Sequence, residues 1–431
     1  MRARGNDASR GECLVNVLSE RRAVDAPAAP VGPFFLDRAL IARQRRSGDG
    51  LWRAKVMSGP AAIEELADEW RALQARAAAD TQAFQSHGWC AAWAETCLDA
   101  RHEEPLIVTV RRGGELVLLW PLMRTRQGPL RAIVWLSDPF CQYGDVISPL
   151  TGDDLAHALG LAWRELRNAG RADLIRLRHV RADAVVAPFL GHRARPAGAE
   201  EGAPWLDLTV FADAAAYEAR YTRSQRRRRK KIRQKLEKAR GRLDFAPLST
   251  GEEMRRGIAR LVAEKRAWLA ARGLYSRPIA HRRLEDFFIR LMELGGDGSA
   301  RLVVSRTTAG GDGVAWELGL RFKGRHYGYI TAHDHALTDL SPGRLHMDFS
   351  QRLALTDGMK VFDLLVPAAP HKTSWSSGVA VVRDYFLPLS FTGRLLGAGY
   401  LCVLRPLVRK VYGRMPPAWR RALRLNRLAG A

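Results

Sequence analysis

His326 to Leu365 reads HYGYITAHDHALTDLSPGRLHMDFSQRLALTDGMKVFDLL, and the order of its parts decides the fold. Aromatic and β-branched residues as far as Thr331 predict a strand, a polar loop then reaches Leu340-Ser341-Pro342-Gly343, a helix is expected from Arg344 to Thr356, and VFDLL reads as a buried strand. Ser341 is of the N-cap type and Pro342 suits the first helical position. Gly343 has no side chain to obstruct a ligand approaching the exposed backbone N–H groups. A helix N-terminus built in this way favours phosphate, because unpaired N–H groups and the helix dipole act together.

Outward from this stretch the pattern is α/β. Upstream, Arg301 to Arg306 and Val314 to Phe322 are strands joined by the turn TAGGDG, and His326 to Ala332 pairs with the second of them across Lys323-Gly324-Arg325. Two helices precede them: Met254 to Ala271, with Trp268 near its end, and Leu284 to Leu294, with Phe287, Phe288 and Leu291 at core spacing. The first part of the chain has the same order. A strand at Trp52 to Met57 leads to Ile63, Leu66, Trp70 and Leu73 at helical spacing, and Phe84, Trp89 and Trp93 suggest a second helix. A hairpin of Leu106 to Val110 with Leu116 to Leu122 turns at Gly113-Gly114. Ala132 to Leu136, the loop DPFCQYGD, a helix from Asp153 to Ala169 and a strand from Ala172 to Leu177 complete that half. Two halves of one architecture follow from this repetition, each a mixed sheet flanked by helices.

At 431 residues the chain exceeds the size at which one core usually stops growing, so two cores are expected. With 69 Lys and Arg against 45 Asp and Glu, its formal charge of +24 attracts polyanions: phosphate-bearing small molecules, an anionic membrane or nucleic acid. Between the halves Arg223 to Lys235 (RSQRRRRKKIRQK) contains neither Gly nor Pro and predicts a basic helix. It comes without a helix-turn-helix, zinc-finger or RNP pattern, and nucleic acid other than tRNA is not expected. After Asp384 there is no acidic residue, while Arg and Lys alternate with Leu395, Leu401, Leu404, Leu407, Val411, Trp419 and Leu423. That basic amphipathic tail suits an anionic membrane surface. The five cysteines form no CxxC pair, and with the histidines no cluster of metal-ligand spacing, so reduced thiols, a cytoplasmic setting and no metal are expected. No run is apolar and long enough to span a bilayer. The organisation read from these features is a disordered leader over 1–50, a first half over 51–215, a connecting basic helix over 216–240, a second half with the ligand site over 241–390, and the tail over 391–431.

The succession YGYITAHD, LSPGRLH, DGMKVFDLL and HKTSW resembles the C-terminal half of FemAB-like GNAT acyltransferases, most closely the CelD/BcsL group associated with bacterial cellulose and exopolysaccharide production. The resemblance runs from about Trp52 to Leu389 and includes FQSHGWCAAW, WPLMR and the basic helix. It implies a tandem GNAT fold, acetyl-CoA or another acyl-CoA as co-substrate, and a donor pyrophosphate held by Ser341, Pro342, Gly343, Arg344 and Leu345. The family loop usually reads YK..W, whereas here His371 precedes Lys372 and Trp375.

Amide formation from a thioester needs a deprotonated amine, a polarised carbonyl and an acid for the leaving sulfur. His333 and Asp334 follow the strand that feeds the donor loop, and Asp363 lies in the next strand between Phe362 and Leu364, where burial would raise its pKa. These three are the candidate catalytic groups. Lys372, Trp375, Tyr327, Lys265 and Trp268 are placed at the acceptor, Lys372 to pair with a phosphate or carboxylate, Trp375 as a wall for a sugar or aliphatic chain, and Lys265 and Trp268 lining the same cleft. Transfer of an acyl group to an amine of an envelope or exopolysaccharide precursor is the leading function, in the cytoplasm or at the inner face of the membrane. An aminoacyl-tRNA-dependent transferase and a non-catalytic scaffold for polysaccharide synthesis are the alternatives.

Overall fold

A computed structural model describes residues 52–169, 171–296 and 299–397, with isolated residues at 399, 407 and 411. The expected leader and most of the basic tail lie outside the described residues. The first half contributes β1 (Trp52–Ser58), β2 (Glu103–Arg112), β3 (Glu115–Gln127), β4 (Leu130–Trp135) and β5 (Leu174–Arg181), and β6 (Arg195–Pro196) and β7 (Glu201–Asp207) follow. The second half contributes β8 (Leu243–Pro247), β9 (Arg301–Ala309), β10 (Asp312–Phe322), β11 (Arg325–His333), β12 (Val361–Asp363) and β13 (Gly378–Pro388). The helices used below are α1 (Ala67–Arg76), α2 (His87–Thr96), α3 (Gly152–Ala169), α4 (Arg223–Arg240), α5 (Gly251–Ala271), α6 (Leu284–Glu293) and α7 (Pro342–Thr356).

Local chemistry explains the repeated hairpins. β2–β3, β9–β10 and β10–β11 turn at Gly113-Gly114, Gly310-Gly311 and Lys323-Gly324, and both residues of each turn have positive φ. Two positive φ values in succession match the twist of paired strands, and glycine adopts them at least cost.

Where the sequence suggests a sheet for each half, the strands of both halves run in one, in the order β1-β2-β3-β4-β5-β13-β7-β12-β11-β10-β9-β8, with β6 on β13. Most neighbours are antiparallel. The parallel pairs are β4 with β5 and β11 with β12, the corresponding places in the two halves. The late strand β13 joins the halves, pairing with β5 on one side and β7 on the other.

The largest apolar core is likewise continuous across the halves. Trp89 of α2 meets Phe287 of α6 with ring centroids 4.8 Å apart, Phe140 meets Phe287 at 5.2 Å and Phe84 meets Tyr327 at 5.6 Å. Such edge-on aromatic pairs add about 0.5–1.5 kcal/mol each beyond the area they bury. A buried ionic latch supplements them. Asp363 accepts from Tyr143 Oη at 2.7 Å and pairs with Arg181 and Arg325, each at 3.1 Å.

Candidate functional site

The site begins where β11 and β12 part. They pair in parallel at Arg325↔Val361, His326↔Phe362 and Tyr327↔Asp363, after which β11 runs on to His333 while the chain beyond Asp363 turns away at Leu365, whose φ is 60°. A cleft of about 540 Å³ opens in that gap. Gly328, Thr331 and His333 line it from β11, Ser341, Gly343, Arg344, His346 and Met347 from the loop and first turns of α7, and Lys265 and Trp268 from α5. Leu364, His371, Lys372 and Trp375 close it from the other side.

The N-terminus of α7 meets this cleft uncapped. Ser341 occupies the N-cap position with φ 52° and ψ 46°, and its hydroxyl makes no capping bond, contrary to the capping role its residue type suggests. Pro342 has no N–H, and the first turn of a helix has no intrahelical acceptors, so this end presents the Gly343 amide beside the Arg344 guanidinium. The turn contains no acidic residue. A Cβ added to Gly343 would sit 3.5 Å from His333 Nδ1, so this glycine and the imidazole face each other closely.

The cleft's electrostatics favour an anion. No carboxylate belongs to its lining among the described residues. Burial and the Arg272 charge bring Lys265 down to about 8, and burial and Lys265 bring Lys372 down to about 8. Each lysine is anchored by backbone carbonyls: Lys265 Nζ donates to Thr331 O at 3.1 Å, and Lys372 Nζ donates to Leu365 O at 3.0 Å and Val366 O at 3.2 Å. Burial and neighbouring cations also lower the pKa values of His333 and His371, leaving both imidazoles neutral at pH 7 and able to accept a proton. His346 is held differently. It lies between Ser305 Oγ at 3.0 Å and Thr307 Oγ1 at 2.7 Å, and burial pushes it down to about 4.

Several residues expected at the site therefore converge: Ser341, Gly343, Arg344, His333, Lys265, Trp268, Lys372 and Trp375. Others do not. Pro342 is buried, and Leu345 faces α4 across a neighbouring cavity. Tyr327 is fully buried in the aromatic core, and its hydroxyl donates to Asp80 O. Asp334 caps the following 3-10 turn by accepting from Ala336 N at 2.9 Å, and it lines a separate cavity with Arg240, Arg256, Arg260 and Arg306. Asp363 is the latch described above. Two guanidinium groups pair with its carboxylate, so burial there makes a structural ion cluster away from the cleft.

Sequence reasoning gave His371 no role, although it stands directly beside Lys372 in the chain and lines the same cleft. It also missed Glu317 and His326, a buried pair with Glu317 Oε1 2.8 Å from His326 Nε2, seated behind Gly328.

Comparison with known proteins agrees with this geometry. A family model described as an acetyltransferase (GNAT) domain matches residues 223–373, from the start of α4 to just beyond Lys372. The crystal structure of FemX superimposes with a TM-score of 0.53 at 11% identity, covering 77% of this chain and 97% of that one. The fold is GNAT-like. Two further similar structures are the C-terminal domain of a putative lysylphosphatidylglycerol synthetase from Agrobacterium fabrum, with TM-score 0.45, 10% identity and coverage of 79% and 98%, and a tandem GNAT protein from the clavulanic acid biosynthesis pathway, with TM-score 0.41, 12% identity and coverage of 79% and 99%. No curated protein matches the sequence. In this GNAT-like frame the matched segment contains the parting strands, the uncapped helix and both cleft lysines. Among the described residues no helix is long and apolar enough to cross a membrane, and no group of His, Cys, Asp and Glu is arranged to hold a metal ion.

Proposed function

We propose that the cleft takes an acyl-CoA thioester and transfers its acyl group to an amine on an envelope or exopolysaccharide precursor, as expected of a CelD/BcsL-type protein. The observation that carries this reading is the meeting of an unpaired strand edge and an uncapped helix N-terminus in one carboxylate-free cleft. The β11 edge offers peptide groups to the amides of a pantetheine arm, and the Gly343 amide with Arg344 suits a pyrophosphate. Trp268 and Trp375 supply flat apolar walls.

Transfer forms a C–N bond and breaks a C–S bond. The amine proton goes to neutral His333, and the thiolate receives a proton from Lys265 or Lys372, whose pKa of about 8 lies near the value of about 8.5 for a simple thiol. A cationic cleft also favours an acceptor that carries a phosphate or carboxylate.

One observation favours a second reading. The cationic α4 adjoins the site, which suits an aminoacyl-tRNA donor, and co-purification of tRNA removable by ribonuclease would select that reading. The acyl-CoA reading is tested by amine-directed labelling followed by mass spectrometry. Saturating acetyl-CoA is expected to slow modification of Lys265 and Lys372 about tenfold while exposed lysines such as Lys231 are unaffected; unchanged labelling of both cleft lysines contradicts it.

A further inference from the structure

Beside the first turn of α7, on the side away from the cleft, lies a second cavity of about 460 Å³ beneath α4. Arg226, Arg229, Lys230 and Arg233 line it, spaced to project from one face of that helix. Its two acidic residues, Glu218 and Asp348, do not balance them. Asp348 is shared between Arg229 and Arg352, and Glu218 approaches those same two arginines only at 4.0 Å. Arg233 is paired with Glu237 at 2.9 Å. Arg226 and Lys230 have no ion-pair partner among the described residues, and Arg229 Nη1 is buried without an acceptor.

The helix carries this charge against its own interest. Arg223 with Arg227, Arg226 with Lys230, and Arg227 with Lys231 are like pairs at i,i+4, and each repels by about 0.2–0.5 kcal/mol. Cations in a first turn also oppose the helix dipole. A complete capping box of Thr222 and Gln225 holds the helix in register despite this. A bound anion would remove the repulsion.

The surroundings narrow the choice of anion. Phe245 and Phe349, with ring centroids 5.2 Å apart, form an apolar floor that suits a purine. Leu345 brings this cavity to the same helical turn that presents Gly343 and Arg344 to the cleft. Arg229 lies 3.8 Å over the Tyr221 ring and 5.5 Å from the ring of Trp375, a cleft residue. A nucleotide whose pyrophosphate rests on α7 can therefore reach both cavities.

We propose that this cavity is a phosphate-ester subsite in which Arg226, Arg229 and Lys230 receive the 3′-phosphate of the CoA nucleotide over the Phe245–Phe349 floor. The inference rests on the acyl-CoA reading, and the same chemistry would recognise a phosphorylated nucleotide on an acceptor. The test is calorimetric titration of the full chain with CoA and 3′-dephospho-CoA, repeated with R226Q/K230Q. CoA is expected to bind at least tenfold more tightly than its dephospho form in the unaltered protein. The double variant should erase that preference and leave dephospho-CoA binding unchanged, which also shows that the variant is folded. Equal binding of the two ligands by the unaltered protein overturns the subsite while leaving the acyl-CoA reading intact. If neither ligand binds, the acyl-CoA reading fails and adenosine 3′,5′-bisphosphate decides: binding that R226Q/K230Q abolishes retains the subsite for an acceptor nucleotide, and no binding removes it.

Discussion

The two halves set the same three elements in the same order, β4–α3–β5 and β11–α7–β12, yet among the described residues it is the second that opens a cleft where its parallel strands part. In the first half the segment after β4 folds back into the gap. Phe140, Tyr143, Val146 and Ile147 are buried there, and Trp135 Nε1 donates across the gap to Arg178 O at 2.7 Å. The Trp135 ring lies so close to Gly144 that an added Cβ would come within 1.9 Å of it. The helix ends also differ in charge. α3 starts with Asp153 and Asp154, which repel an anion, whereas α7 starts with Pro342, Gly343 and Arg344. In the proposed reading one half is the support and the other the binding site, and a few residues at equivalent positions distinguish them.

This comparison can be broken in several places. The largest effect is expected at the latch between the halves, where Asp363→Ala leaves buried guanidinium charge uncompensated and should cost about 3–5 kcal/mol in denaturant unfolding. Ligand affinity of the folded fraction should change less than twofold, because Asp363 is outside the cleft. Next is Gly343→Asp, which gives α7 the kind of charge that α3 already has. Acyl-CoA affinity should fall at least about a hundredfold, or about 2.7 kcal/mol, by titration calorimetry.

A smaller effect is expected from pH. Lys265 and Lys372, with pKa values of about 8, lose their positive charge as pH rises through that value. Affinity for the anionic donor should therefore fall about tenfold between pH 7 and pH 9, and a rise would reverse the electrostatic assignment. The smallest contrast concerns two helix starts. Thr222 accepts from Gln225 N at 3.2 Å, whereas the Ser341 hydroxyl makes no such bond. Thr222→Ala should cost about 1 kcal/mol of stability, and Ser341→Ala less than about 0.5 kcal/mol.

Periodicity exposed most of the elements that pack locally, including all three hairpins, α3, α5, α6 and α7. It did not expose β7 and β13, whose pairing is distant in sequence. In β13 the polar pair Arg383-Asp384 interrupts the apolar pattern at a register shift, and Asp384 there accepts from His179 N at 2.9 Å. That strand is what merges two expected sheets into one. At the site, the helix start and the lysines and tryptophans were legible from their motifs. Strand residues were harder, because alternation separates the two faces of β11 without saying which one meets a ligand. Tyr327 consequently went to the core and His333 to the cleft. Asp363 misled because apolar sequence neighbours signal burial, whereas its arginine partners come from β5 and β11.

The central claim is that one half binds the donor and the other does not. Titration of the full chain with acetyl-CoA and longer acyl-CoAs reads this directly as a stoichiometry. We expect one molecule bound per chain for at least one of them; two per chain would show that the first half also binds, and none would contradict the assignment of the second.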